Sequence, residues 1–404
     1  MILNFVVENF MSIKEAQQIS FQVTKKDKLN DSVRAYNSQF CNTIMAVLGN
    51  NASGKTNALK ALSFLLWFVK HSYHYNDSLT SMVVPHALSR DKVSKFELEF
   101  EKNGVEYVYK LHITNEFVEY ESLGTKLSPR STCLYEIQRQ GDGLHLTKWN
   151  TKMGKLNTSD RDRFLKMSKP CAFFSFLLGT GYIETSFPHL KPLYSYDTNV
   201  GPIGKGTEDH FQIVLQESAS LKNDEKQRNK IERFLSECDL GFSGFSFQKG
   251  IIEKSPNEKQ EIDILSIKHI VDKKGFILSL IQESNGTQKL IRLLDRVFKV
   301  LDRGGILISD EIEDALHPVF VCKIINLFKS METNPNNAQL LFTTHSPLLL
   351  DECTKTQIYF VEKTQQLVSE LFRLDEVEGV RNCDNFCAKY LAGTYGGVPK
   401  GRWL

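Results

Sequence analysis

Apolar and polar positions change rhythm several times along the chain. Residues 1–20 alternate with a period of two, which predicts two strands around a turn at residues 12–15. Residues 43–48 form a short unbroken apolar run, the pattern of a strand covered on both faces. Residues 57–69 place Leu59, Leu62, Leu65, Leu66 and Phe68 on one stripe and predict a helix. Alternation returns at residue 95. "KFELEF" and "VEYVYKLHI" flank "KNG", and Asn-Gly between alternating runs signals a hairpin. "FVEYESL" and "CLYEIQR" continue the pattern. Between residues 150 and 240 it stops. "TSDRDRFLKMSK" and "ESASLKNDEKQRNKIERFLSE" predict helices, and the Pro- and Gly-rich segment 185–210 between them predicts an irregular loop. Strands resume at "FSGFSFQKGIIEK" and "DILSIKHIV". A turn, an amphipathic helix and two unalternating apolar runs follow, "GGILISDE" and "AQLLFTTHS". "QIYFVEK", "LVSELFRL" and a helical tail come last.

Apolar strands separated by helices predict an α/β fold with a mostly parallel core sheet. The alternating runs add an antiparallel β subdomain, and the middle third adds a helical insertion. The expected division is 1–145, an N-terminal lobe; 146–245, the insertion; and 246–404, a C-terminal lobe. No heptad series runs through the insertion, so a long coiled coil is not expected.

Composition narrows the setting. Of 404 residues, 41% are hydrophobic and 24% charged, which suits a globular chain with a sizeable core. The net charge of +2 makes no electrostatic case for nucleic acid or membrane. No apolar run is long enough to span a bilayer, and "MILNFVVENF" lacks the basic start of a secretion signal. A cytoplasmic protein is expected, with no membrane partner. Cys383 and Cys387 lie at i,i+4 without a His-rich neighbour, which favours reduced thiols over a metal pair.

The chemistry begins at Gly49, Asn50, Asn51, Ala52, Ser53, Gly54, Lys55 and Thr56, followed by Asn57. This is G-x-x-x-x-G-K-[ST] between a predicted strand and a predicted helix, the context a P-loop needs. Glycines let backbone N–H groups turn inward on an anion, and the helix N-terminus adds partial positive charge. Lys55 would reach the β- and γ-phosphates of ATP, and Thr56 would ligate Mg²⁺. A second apolar run ends at Asp310 and Glu311. There Asp310 would hold Mg²⁺ and Glu311 would act as general base on water. The strand "LLFTTHSP" ends at His345, placed to meet a γ-phosphate. Ser284, Asn285, Gly286, Thr287 and Gln288 form a small turn ahead of an amphipathic helix, a further anion-binding shape.

In this order the motifs resemble the ABC-type ATPases, in the branch that includes SMC-like and RecF-like proteins. "SNGTQ" stands where that family has its LSGGQ-like signature and departs from it at the second and third small residues. "ISDE" resembles the Walker B strand, "DALHP" the D-loop and "TTHS" the H-loop. The resemblance implies a Q-loop, for which residues 85–88 are the expected place. A narrower resemblance covers nearly the whole chain. "ENFMSIKE", "GNNASGKTN", "ESNGTQKL", "LISDEIEDALHP", "TTHSPLLLD", "QIYFVEK" and "YLAGTYGGVP" look like the bacterial AAA/ABC-type ATPases of RloA and AbiLi type, similar also to the ATPase subunit of the PARIS phage-defence system. That resemblance implies ATP hydrolysis in a homodimer or higher oligomer. Each signature turn would serve the nucleotide of another copy. It also implies a sensor or regulatory role in anti-phage defence beside a separate, nuclease-like effector, with a phage protein or DNA as trigger. The insertion and the tail lie outside the ATP motifs and are the expected partner surfaces. The alternative is a RecF/SMC-like ATPase that binds DNA in repair or maintenance.

Overall fold

The structure is a computed structural model. It describes residues 1–24, 31–74, 83–127, 130–141, 143–154, 156–165, 171–183, 190, 195–201, 210–238, 241–255, 258–271 and 274–397. Its centre is a six-stranded sheet in the order Tyr196–Thr198, Ile306–Ser309, Gln339–Thr343, Ile44–Gly49, Ile358–Lys363, Ser369–Arg373. The first five strands run parallel and the last is antiparallel. Strand Ile44–Gly49 is buried at every position because each face meets a different core. Met45 and Val47 join the core shared with the antiparallel sheet, while Ile44, Ala46 and Leu48 join the second core. Two covered faces remove any reason for alternation, so the run reads as apolar throughout.

The antiparallel sheet has seven strands in the order Gly143–Trp149, Arg130–Gln140, Val118–Leu127, Val105–Ile113, Ser94–Lys102, Ile2–Glu8, Gln17–Ser20. The expected hairpin is present: Lys102 pairs with Val105, and Asn103 and Gly104 take φ of 53° and 77°. Two positive φ values in a two-residue loop match the strand twist. Helix Lys55–His71 packs between this sheet and the central one through Leu59, Leu62, Phe64 and Leu65. Helices His210–Asn223, Glu225–Ser236, Asn285–Arg303 and Pro318–Lys329 cover the other face of the central sheet. The fold is thus α/β, a mostly parallel central sheet with a separate antiparallel layer.

Several elements differ from the sequence pattern. Residues 22–42 hold a small sheet of Gln22–Val23, Val33–Tyr36 and Gln39–Asn42. Strands Gly143–Trp149 and Lys274–Ser279 also lie outside the runs the pattern marks as strands. Helix Phe173–Gly179 is buried from Phe173 to Leu177 with Ser175 its one polar side chain, so it carries no amphipathic period. The predicted long helix breaks at Asp224, whose carboxylate caps the next helix by accepting from Gln227 N. Most of the predicted loop 185–210 lies outside the described residues. Its stretch Tyr196–Thr198 is no loop but the edge strand of the central sheet, parallel to Ile306–Ser309. Only a short helix, Phe386–Leu391, appears in the described part of the tail.

Candidate functional site

Five parallel strands end on the same side of the central sheet, and four of them deliver polar groups to one place. Ligands collect at such strand ends in open α/β sheets. Strand Ile44–Gly49 runs into the candidate phosphate loop. Gly49 has φ 150° and a Cβ there would run into the Val361 carbonyl of the adjacent strand. Gly54 has φ 112°, and a Cβ there would strike Ser369. Both positions therefore require glycine. Helix Lys55–His71 starts on Gly54 with no side-chain cap and no acid in its first turn. Its first N–H groups are thus left for an incoming anion. Ser53 Oγ is buried with no hydrogen-bond partner among the described residues. Ser12, Asn57 and Ser369 brace the loop: Asn57 Nδ2 donates to Ser12 Oγ (2.8 Å), and so does Ser369 Oγ (2.8 Å).

Lys55 is buried, and its ammonium donates to Gly49 O and Asn50 O, both at 2.9 Å. Burial lowers its pKa, opposed by Asp310, Glu311 and Glu313. Thr56 Oγ1 donates to Asp310 Oδ2 at 3.0 Å, so the loop and the acid-ended strand Ile306–Ser309 meet directly. Thr343 Oγ1 donates to Asp310 Oδ1 (2.7 Å) and accepts from Glu311 N (2.7 Å). Glu311 takes φ 49°, a left-handed conformation that is costly outside glycine. Such strain persists only where surroundings hold it, here through Thr343. His345 Nε2 stands 3.7 Å from Glu311 Oε1, and His345 N donates to Glu313 Oε1 at 2.5 Å.

The structure thus brings Lys55, Thr56, Asp310, Glu311 and His345 together. It does not bring Ser284, Asn285, Gly286, Thr287 or Gln288 to them. Among the described residues, no hydrogen bond or ion pair joins this turn to residues 49–57. Ser284 instead caps helix Asn285–Arg303 by accepting from Thr287 N, and Gln288 Nε2 donates to Glu283 O at 2.8 Å. A Cβ on Gly286 would lie 2.8 Å from Ala315 O, so the turn rests on the segment after Glu311. Residues 85–88 do not reach Asp310 either. They line a groove with Met11, Ser12, Asn57 and Lys60. The side chain that reaches Asp310 from the edge strand is Asn199. It accepts from Asp310 N (2.8 Å) and donates to Asp310 O (2.9 Å). Asn199, Thr343 and Glu313 were not singled out from sequence. Thr343 and Glu313 lie within two or three residues of motif positions, but Asn199 has no comparable signal.

The glycine cradle, the open helix start and the hydroxyl-carboxylate pair fit a nucleotide phosphate chain. Thr56 and Asp310 are the residues that would hold Mg²⁺.

The model of the family described as "AAA domain, putative AbiEii toxin, Type IV TA system" matches residues 44–151 and 204–351. The chain belongs to this family. It is an ATPase of the AAA/ABC type. It is also similar to "Retron Vc95 probable ATPase" of Vibrio cholerae serotype O1 biovar El Tor, 22% identical over 368 residues, covering 78% of this chain and 68% of that protein. "Retron Ec83 probable ATPase" of Escherichia coli is 26% identical over 191 residues, 44% of this chain and 32% of that protein, so the match spans about a third of its length. Among solved structures, "SMC head domain from Thermotoga maritima" aligns over 92% of this chain and 98% of its own, at 15% identity and TM-score 0.42. No helix among the described residues is long and apolar enough to cross a membrane.

Proposed function

We propose that this chain hydrolyses Mg·ATP in a site completed by a second copy. We propose further that it serves as the sensor or regulatory subunit of a bacterial anti-phage defence system. In that system it would act with a separate effector such as a nuclease, triggered by a phage protein or by DNA. The observation that carries the ATPase reading is the junction of Thr56, Asp310 and Thr343, which joins the candidate phosphate loop to the acid-ended strand. Lys55 would exchange its two carbonyl partners for phosphate oxygens. Bound Mg²⁺ would polarise the transferred phosphoryl group. Glu311 would accept the proton of the attacking water, and His345 would steady the charge beside it. The defence reading draws on the family and on the two retron relatives.

The test separates binding from turnover. Lys55→Ala should lose nucleotide binding. Glu311→Gln should bind ATP as wild type does while hydrolysis falls about a hundredfold or more, since an amide takes no proton. Equal hydrolysis by wild type and Glu311→Gln would remove the proposed base. For the biological half, cells carrying the protein and its neighbouring effector should resist phage, and the Glu311→Gln version should not. Undiminished resistance would sink the coupling of ATP turnover to defence.

A further inference from the structure

Glu313 sits two residues beyond Glu311 and one turn of chain from the site. One of its oxygens, Oε1, accepts from the main-chain N of His345 at 2.5 Å. The other, Oε2, is buried with no hydrogen-bond partner among the described residues. Its charge is close enough to act on Lys55 beside those of Asp310 and Glu311. Glu313 is half-buried, with one oxygen enclosed and unpaired, and an enclosed polar atom without a partner carries a desolvation cost. What the carboxylate does achieve is geometric. His345 begins the turn after strand Gln339–Thr343, and its imidazole stands 3.7 Å from Glu311. Strand Gln339–Thr343 already holds Glu311 through Thr343 Oγ1, and Ile312 N donates to Thr343 O at 3.1 Å. Those bonds stop at residue 343. Glu313 supplies the next one, across 32 residues of sequence, and ties the histidine turn to the segment that bears Glu311.

We propose that Glu313 is a positioning residue for hydrolysis. It holds the main chain of His345 so that the imidazole and the Glu311 carboxylate stay in one geometry over the phosphate loop. The inference rests on the ATPase reading of this site. The neutral amide oxygen of glutamine can accept the same N–H, whereas alanine cannot and aspartate is a carbon too short. Positioning, not charge, is therefore what Glu313→Gln preserves.

Steady-state ATP turnover in the full-length chain tests this. Glu313→Ala and Glu313→Asp should lower kcat about tenfold or more, the scale of one hydrogen bond to a charged group, with KM for ATP changed less than about twofold. Glu313→Gln should restore most of that loss. On a His345→Ala background, Glu313→Ala should add little, because both act through one imidazole. Thermal melting shows whether each variant is folded; should the alanine variant not fold, the aspartate variant carries the comparison. A glutamine variant as slow as alanine would show that charge matters, not position, and overturn the proposal. So would losses that multiply in the double variant, or a raised KM with unchanged kcat. A wild-type chain that never turns over ATP would overturn the ATPase reading and this inference together. In failure of this inference alone, wild type turns over and the variants do not follow the pattern.

Discussion

Asn199 bonds both ends of one amide to the main chain of Asp310, at 2.8 and 2.9 Å. It continues the parallel ladder one residue past the strand, after Thr198 has paired with Ile308. Asp310 is therefore held on three sides: Asn199 on its backbone, Thr56 and Thr343 on its carboxylate. The backbone bonds contribute about 1 kcal/mol net each and those to the carboxylate about 2. Asn199→Ala should cost turnover roughly tenfold, with little change in ATP affinity, because Thr56 and Lys55 keep their places. Unchanged turnover would reduce Asn199 to the end of an edge strand. Its position also changes what removal of the middle segment would do. Deleting residues 186–208 takes away the edge strand and the Asp310 clamp together, so that segment is not separable from the chemistry.

At the scale of elements, helix Phe173–Gly179 is fastened to the antiparallel sheet by one carboxylate. Glu121 is fully buried in strand Val118–Leu127. It accepts from Phe173 N (2.6 Å), Phe174 N (2.9 Å) and the Tyr135 hydroxyl (2.7 Å). Burial nonetheless raises its pKa above the usual carboxylate range, because desolvation outweighs those bonds. A raised folded-state pKa stabilises the fold below the ordinary carboxylate value, and that contribution fades as pH climbs through the raised value. Glutamine does not titrate. The melting advantage of wild type over Glu121→Gln should therefore be larger near about pH 5 than near about pH 8. An advantage that grows with pH would show that the three donors outweigh desolvation.

At the scale of the whole molecule, the Ser284 turn and the phosphate loop of one chain are not in contact. Lys289 pairs with Asp314 at 2.6 Å and keeps the turn on the segment after Glu311. If a second copy supplies the missing donors, one self-complementary surface completes two sites. Gly286 is a poor place to test this, since any side chain there presses on Ala315 O. Ser284 is exposed, and aspartate caps a helix as well as serine does. Ser284→Asp should keep the helix and set a like charge against the phosphates of the partner. Alone it should be inactive, as should Lys55→Ala. Mixed one to one with free exchange, half of the dimers are mixed and each holds one intact site, so about a quarter of wild-type activity should return. No recovery, with mixed dimers shown by crosslinking, would reject the shared site.

The parts legible in the sequence are those a short stretch of backbone makes by itself. Residues 49–56 read as a candidate phosphate loop because glycine torsions, a lysine and a helix start all fall within eight residues. The strand ending at Asp310 and Glu311 is equally local. Other features depend on strand order, which no local pattern records. Asn199 reaches Asp310 across 111 residues, and His345 reaches Glu313 across 32. The edge strand Tyr196–Thr198 lacks an apolar run because it is only partly covered, and the enclosed helix Phe173–Gly179 lacks a polar face. The insertion likewise reads as one helical region but divides between the two cores. Phe164, Phe173 and Phe176 go to one, and Val214, Ile231 and Leu235 to the other. Its sequence sets each helix's local conformation. Which core a helix joins follows from the faces the central sheet leaves open, and those exist only once the strands have assembled.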